Sequence, residues 1–194
     1  MSARALGQLL RDVRACRLCE EHLPHGVRPV VQLHRQARIL IAGQAPGRRV
    51  HESGVPFDDP SGDRLRGWMG VSRETFYDPR SVAILPMGFC FPGTGRSGDL
   101  APRSECAEAW REPLLAHLGQ VRLMLVLGRY ALRWHLGEAG PLTDVVRRWR
   151  DFGEERMPLP HPSPRNRGWL ARNGWFESEL LPELRARVTR ALGG

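Results

Sequence analysis

A chain of 194 residues is long enough for one domain with a sizeable core and short for two, so we expect a single domain over residues 1–194. The net charge of +8, in which all 29 basic residues are arginine, favours a polyanionic partner, nucleic acid first. The absence of lysine excludes covalent catalysis through a side-chain amine. No apolar run approaches the roughly 20 residues that span a bilayer, and the polar N-terminus is unlike a signal peptide, so we expect a cytoplasmic protein with no membrane partner.

Apolar patterns predict strands that alternate with helices along the chain. Short apolar runs predict core strands at residues 39–41, 82–86, 123–127 and 157–160, and a further short strand at 30–33. Periodicity and start signals predict helices at residues 3–15, from Pro60, from Ser104, after Gly128 and at 175–192, whereas the Gly/Pro-rich segment 91–103 is predicted to be a loop. This order predicts an α/β fold, a three-layer α/β/α domain with a central, mainly parallel four-stranded sheet.

The segment after the first core strand has the composition of a ligand-binding turn. Gly43 and then Pro46-Gly47 let the backbone bend sharply and approach a ligand closely. In parallel α/β sheets, ligands bind beyond the carboxyl ends of the strands. We therefore expect the site around residues 43–58, at the sheet edge that residues 86–90 and His161 also reach.

The four cysteines fall into two pairs, Cys16 with Cys19 and Cys90 with Cys106. In a cytosolic chain, this paired spacing indicates a metal or cluster site before disulfides. Four thiolates suit either a [4Fe–4S] cluster or structural zinc.

Three strand-end motifs, combined with the cysteine spacing, resemble the uracil-DNA glycosylase superfamily, most closely its iron–sulfur family 4 branch. Gly43-Gln-Ala-Pro-Gly47, followed by Gly54-Val-Pro-Phe57, resembles the family's first motif, Gly-Glu-Ala-Pro-Gly with a later Gly-x-Pro-Phe. Cys90-Phe-Pro-Gly93 with Cys106 resembles its second block, and His161-Pro-Ser163 matches its last motif. The resemblance covers almost the whole chain and implies the same fold.

The resemblance implies a monofunctional DNA glycosylase that hydrolyses the N-glycosidic bond of uracil, or of a related deaminated base, in base excision repair. It also implies that the four cysteines hold a [4Fe–4S] cluster rather than zinc, with a structural or DNA-positioning role. Because the chain has no lysine, we expect no Lys-dependent lyase step. The expected partner is DNA containing a damaged base, bound by a monomer.

Base cleavage passes through an oxocarbenium-like sugar while negative charge develops on the departing base. A hydrogen-bond donor aimed at that charge stabilises the transition state selectively. The resemblance gives this role to His161, and the backbone N–H groups of Gln44 and Ala45, beside Gly43, can face the same oxygen. It places Phe57 where an aromatic ring stacks on the extruded base, with a core position as the alternative.

One departure from the family pattern concerns water activation. The family's Glu is Gln44 here, and the Asp of the family 1 motif is Ala45, so no carboxylate occupies the familiar position. The nearby candidates for activating water are His51 and Glu52, with two aspartates at positions 58 and 59 behind them.

A second departure concerns base reading. Family 4 proteins pair uracil with an Asn amide near the third cysteine, whereas residues 84–90 contain no amide side chain. This absence indicates backbone readout near Met87 and Gly88, broader base tolerance, or lost activity.

A third departure concerns the loop expected to face DNA. Relatives often place a leucine after the last motif, as a wedge into the duplex, whereas this chain places arginine there. An arginine can fill the gap by stacking and neutralise a phosphate, and a solvated basic loop is the alternative. The residues expected to contact DNA are Ser163, Arg165, Asn166 and Arg167.

Two other functions compete with the glycosylase. A non-catalytic DNA-binding iron–sulfur relative would use the basic surface and the cysteines without hydrolysing a bond. A hydrolase of free nucleotides or nucleosides would share the α/β fold, but the charge of +8 disfavours it.

Overall fold

The computed structural model describes residues 3–96 and 98–194, which are built around a four-stranded sheet. In chain order the strands are β1 (Ile39–Ala42), β2 (Val82–Ile84), β3 (Thr94–Gly95), β4 (Gly98–Asp99), β5 (Leu123–Leu127) and β6 (Arg156–Leu159). The main sheet has the order β2-β1-β5-β6, and its strands are all parallel. A separate antiparallel hairpin is formed by β3 and β4. The predicted fold class is confirmed.

The helices flank this sheet. In chain order they are α1 (Ala3–Ala15), α2 (Arg48–Ser53), α3 (Pro60–Met69), α4 (Arg73–Tyr77), α5 (Ser104–Leu115), α6 (Gly128–Leu136), α7 (Leu142–Arg147), α8 (Arg167–Arg172) and α9 (Leu181–Leu192). Short 3-10 turns lie at Glu20–His22, Trp149–Phe152 and Pro164–Asn166, and a π-helical turn lies at Phe176–Leu180. Within residues 3–96 and 98–194, no helix combines the length and the apolar character needed to cross a membrane.

Side chains of β1 alternate between two buried layers, because successive residues of a strand point to opposite faces. Ile39 and Ile41 pack with Leu65 of α3 and Leu184 of α9. Leu40 packs on the opposite face, in a cluster that includes residues of α1 and α5. Helices therefore cover both faces, and β1, between β2 and β5, is buried along its whole length.

Three predicted elements differ in detail from the structure. Residues 30–33 make a single antiparallel bridge, Gln32 with Ile84, instead of a strand. The predicted loop 91–103 contains the β3–β4 hairpin. The predicted helix 175–192 begins as the π-helical turn, since Pro182, in the first turn of α9, cannot donate to the carbonyl four residues earlier.

A buried arginine fixes the carboxyl end of β2. Nη1 of Arg111, in α5, donates to the carbonyl oxygens of Leu85 and Pro86 at 3.1 and 2.9 Å. Its Nε donates to Nε2 of His135, in α6, at 2.7 Å. Burial lowers the pKa of Arg111 to about 10. The pKa of His135 is lowered to about 3, mainly by burial and secondly by the positive charge of Arg111. His135 is therefore neutral at pH 7 and accepts the bond, so α5 and α6 hold the segment that leads to Met87.

The first turn of α3 holds the preceding residues in one conformation. Asp59 is the N-cap residue, and its Oδ1 accepts a hydrogen bond from the N–H of Gly62 at 2.9 Å. Phe57 has a φ of 54°, which is rare for a residue with a side chain. A Cβ atom on Gly62 would overlap the carbonyl oxygen of Phe57 and lie 2.8 Å from the Phe57 Cβ. The turn from residue 57 to residue 62 therefore requires glycine at its end.

We expect Gly62→Ala to lower the free energy of unfolding by at least about 2 kcal/mol, because the added methyl group must displace the Phe57 backbone. Gly67→Ala, in the same helix, is the matched control. Nothing lies within 4 Å of its Cβ position, so we expect that change to raise the free energy of unfolding by about 0.5–1 kcal/mol. Denaturant titration of both variants measures the difference, and effects of equal size and sign would contradict the prediction.

Candidate functional site

A cleft of about 590 Å³ opens at the carboxyl end of β1. Its walls are formed by the turn after β1 with the start of α2, the start of α3, the β3–β4 hairpin and the loop after β6. Val30 and the end of β2, through Ile84 and Pro86, complete the lining. The residues from these parts that line it include Gly43, Gln44, Ala45, Pro46, Gly47, Arg48, Arg49, Phe57, Asp59, Ser61, Gly98, Asp99, His161, Ser163, Arg165 and Asn166. The cleft lies beyond the carboxyl ends of the strands, where the sequence places the site.

The turn after β1 is held by the segment that follows β2. The N–H of Met87 donates to the carbonyl of Gly43, and the N–H of Gly88 donates to the carbonyl of Gln44, both at 2.9 Å. Nε2 of Gln44 reaches the carbonyl of Leu100 at 3.4 Å. Met87 and Gly88 are buried behind the turn and do not line the cleft, so their N–H groups are not available to read a base.

Phe57 lies between the cleft and the core. Its ring contacts Gly43, where a Cβ atom would be 3.6 Å from the ring atom Cζ. It meets Phe76 edge-on, with ring centroids 6.1 Å apart, and its carbonyl accepts a hydrogen bond from the Tyr77 hydroxyl at 3.2 Å. The half-buried ring is thus fixed by the core and still lines the cleft.

His161 follows β6 and is half-buried in the cleft. Burial lowers its pKa below the ordinary value, while the carboxylates of Asp59 and Asp99 oppose that shift. The imidazole is therefore neutral at pH 7, in which form one ring nitrogen donates a hydrogen bond.

The loop that carries His161 is anchored at several points. Nδ2 of Asn166 donates to the carbonyl of His161 at 2.6 Å. Nη1 of Arg64, in α3, donates to the carbonyl oxygens of Pro162 and Ser163 at 3.3 and 2.8 Å. The helix that Asp59 caps is therefore bonded directly to the imidazole-bearing loop.

Two carboxylates meet beside Gly47. A Cβ atom at that glycine would lie 3.4 Å from Oδ2 of Asp99 and 3.9 Å from Oδ2 of Asp59. Both aspartates line the cleft with His161. Asp99 was not among the predicted site residues, since it lies in a Gly-rich segment with no periodicity. The sequence places Asp59 only behind His51 and Glu52 as a candidate, although its position before a Pro-Ser-Gly helix start also indicates an N-cap residue.

The predicted water-activating residues lie elsewhere. Of the residues in α2, Arg48, Arg49 and Val50 line the cleft, whereas His51 and Glu52 do not. The His51 ring lies 6.1 Å from that of Phe91, and its Nδ1 is buried without a hydrogen-bond partner in the described residues. Glu52 is exposed. The acidic groups that line the cleft are Asp59, which the sequence placed behind the two leading candidates, and Asp99, which it did not predict.

Arginines form the rim of the cleft. Arg48, Arg49 and Arg165 line it and are exposed. The guanidinium of Arg165 reaches from the His161 loop to Gly98 in the hairpin. It occupies the position that a Cβ atom on this glycine would take. Arg167 begins α8 and does not line the cleft, whereas Ser163 and Asn166 do.

The four cysteines line one small cavity between the end of α1, the loop after β2 and α5. The N–H of Phe89 donates to Sγ of Cys106 at 3.3 Å, and Nε1 of Trp110 donates to Sγ of Cys16 at 3.2 Å. Burial raises the pKa of Cys90 to about 11 and that of Cys106 to about 12. In the part of the chain that the structure describes, no three His, Cys, Asp or Glu residues are grouped as ligands of one metal ion.

Comparison with protein families finds a match that covers most of the cleft. A model described as the uracil DNA glycosylase superfamily matches residues 31–185, which is most of the chain. The matched range contains every residue that lines the cleft except Val30, and two of the cysteines, Cys90 and Cys106, whereas Cys16 and Cys19 precede it. Together with the parallel sheet, this match establishes the family: the chain belongs to the uracil DNA glycosylase superfamily.

Proposed function

We propose that this protein is a monofunctional DNA glycosylase that hydrolyses the N-glycosidic bond of uracil, or of a related deaminated base, in base excision repair. One observation carries the proposal: a single cleft contains a neutral imidazole, an aromatic ring and two carboxylates around a glycine turn. Superfamily membership supports a glycosylase-type function on DNA in general.

The extruded base is held by Phe57 and the glycine turn. The half-buried ring offers the cleft an aromatic surface, and its position is fixed by Phe76 and Tyr77. Flipped bases are bound in this way, by stacking together with hydrogen bonds to the base edge. Gln44 and Ala45 line the cleft beside this ring and supply polar groups for that edge.

His161 stabilises the leaving base. As the glycosidic bond breaks, its electron pair moves onto the base, and a neutral imidazole N–H donates a hydrogen bond to the oxygen that becomes negative. Burial favours this neutral form by lowering the pKa of His161. The three hydrogen bonds to residues 161–163 fix the ring before the charge develops.

Asp59 orients and deprotonates the attacking water, in place of His51 and Glu52. Its Oδ1 is fixed by the N–H of Gly62, which leaves Oδ2 beside Gly47 at the cleft. Asp99 contributes a second negative charge at the same point. Two carboxylates also favour the positive charge that forms on the sugar, as they do in glycoside hydrolysis. Water is the nucleophile, since the chain has no lysine for a Schiff base.

We propose that the cysteine cavity holds a [4Fe–4S] cluster rather than zinc. A tetrahedral zinc site places its sulfur ligands about 3.8 Å apart, and the described cysteines are not grouped for a single ion. A cluster gives each thiolate its own iron, and the four cysteines that line one cavity match the number of ligands that it needs. Cys16, Cys19, Cys90 and Cys106 would hold it and join α1 to α5. The cluster's role is structural, because hydrolysis transfers no electrons.

The second candidate is a DNA-binding relative without activity. It is favoured by the N–H groups of Met87 and Gly88, which donate to the carbonyl oxygens of Gly43 and Gln44 and therefore cannot also read a base. Incubation of the wild-type protein with uracil-containing oligonucleotides, single- and double-stranded, followed by alkali, separates the two. A panel of damaged bases in the same assay identifies the preferred base.

We expect His161→Ala to lower the single-turnover excision rate by about 10²- to 10³-fold, because the departing base loses its hydrogen-bond donor. DNA affinity should change little, since the arginine rim is intact. Excision and gel retardation are measured on the same oligonucleotide. Wild-type excision by this variant would remove His161 from the mechanism.

We expect Asp59→Asn to lower the excision rate at least about 10²-fold, because the amide cannot accept the proton of water. Asparagine is an equally good N-cap residue, so the free energy of unfolding should stay within about 0.5 kcal/mol of the wild type. Glu52→Gln, just outside the cleft, is the matched control and should retain wild-type excision. Loss of excision in the Glu52 variant alone would contradict the role of Asp59 and support Glu52 as the residue that activates water.

Protein purified without oxygen should contain iron and acid-labile sulfide in equal amounts, about four of each per chain, and show visible absorbance. Replacing Cys90 or Cys106 by serine should remove most of the bound iron. It should also lower the melting temperature, because the cavity is lined by separate segments of the chain that the cluster would join. Stoichiometric zinc without sulfide in the wild type would contradict the cluster.

A further inference from the structure

A histidine ring on the outside of the cleft has the geometry of a stacking platform. His25 is exposed and stacks on the fully buried ring of Phe91, with centroids 5.0 Å apart and an angle of 24° between the planes. One face of the imidazole is therefore fixed on the core. The Phe91 ring, buried behind it, keeps the imidazole in one orientation.

The opposite face of His25 is not covered by its other aromatic neighbour. The His51 centroid lies 6.3 Å from that of His25 and 6.1 Å from that of Phe91. A ring stacked on the outer face of His25 would lie about twice as far from Phe91 as His25 does. His51 therefore lies beside the stack and does not cover the outer face of the exposed His25 ring.

This platform adjoins the cleft and is surrounded by positive charge. The guanidinium of Arg48 lines the cleft and lies 5.8 Å from the Phe91 centroid. Arg28 lies over Gly54 at the opposite end of α2, with Nη2 2.7 Å from the Cβ position of that glycine. In the described residues, neither arginine has a carboxylate within ion-pair distance. We call Arg48, His25 and Arg28 the His25 strip.

The strip has the dimensions of a short length of a single strand. Its arginines lie at the two ends of α2, whose six residues span about 9 Å. Two to three nucleotides of a strand cover that length at about 3.4 Å each. Exposed arginines bind phosphates, and aromatic rings between them bind bases by stacking, which is how single strands are held.

We propose that the DNA strand leaving the cleft runs along the His25 strip and that an unpaired base next to the extruded nucleotide stacks on His25. The proposal rests on the proposed function, because it assumes a DNA substrate, and it specifies which form of DNA is preferred. A base that lies on His25 cannot stay paired in a duplex. The preferred substrate is therefore single-stranded or locally unpaired DNA.

The test uses a short single-stranded oligonucleotide with a stable abasic analogue and 2-aminopurine as one neighbour, 5′ or 3′. Binding to the wild type should quench the 2-aminopurine on one side only, because one neighbour stacks. His25→Ala should remove the quenching and weaken single-strand binding about tenfold, as expected for one lost base stack. His25→Phe should restore both, and affinity for a fully paired duplex should be unchanged in either variant.

Two further variants separate stacking from charge. His22→Ala, an exposed histidine three residues away, should match the wild type in every measurement. Arg28→Gln should reduce the slope of log affinity against log salt by about one, since one phosphate contact is lost. Unchanged single-strand affinity in His25→Ala, or an equal loss on single strands and duplex, would overturn the proposal.

This experiment does not depend on catalysis. A wild type that leaves every base intact but shows His25-dependent quenching would support the strip and contradict the glycosylase. A wild type that excises uracil, with His25→Ala indistinguishable from it on single strands, would support the glycosylase and contradict the strip.

Discussion

The close packing of the Phe57 carbonyl against Gly62 determines the geometry of the whole cleft. It lets the chain enter α3 with Asp59 as the N-cap and the Phe57 ring against Gly43. Five residues further along the same helix, Arg64 bonds the loop of His161. A helix is stiff over this distance, about 7.5 Å along its axis. One helical segment therefore sets the separation between the stacking ring, the carboxylate and the imidazole.

The charges in the cleft are arranged in two zones. The arginines lie at the rim, whereas Asp59 and Asp99 meet inside it beside Gly47. Phosphates are attracted to the rim and repelled by the interior, so the backbone of a nucleic acid stays outside while an uncharged base can enter. The same interior charge favours a sugar that becomes positive. In the proposed function, the same two carboxylates exclude the phosphates from the cleft and stabilise the transition state.

The sequence predicted those features that depend on local pattern. Short apolar runs located the strands, and the glycine turn and His161 lie at their carboxyl ends as expected. The sequence could not predict which face of α2 points to the cleft, because six residues are too few for a periodic pattern. In the structure Arg48 lines the cleft and His51 does not. Asp99 reaches the site through a hairpin in a Gly-rich segment, a contact between distant residues that no local signal reveals.

The segment before residue 31, outside the family match, connects the cysteine cavity to the cleft. Leu23 lines that cavity, and His25, two residues later, stacks on Phe91, which directly follows Cys90. A group bound by the cysteines would therefore fix both rings of this stack at once. Arg48 links the stack to the cleft wall. In the proposed function, a cluster at this position would have a physical role without electron transfer, because it would hold the surface along which we propose that the strand leaves the site.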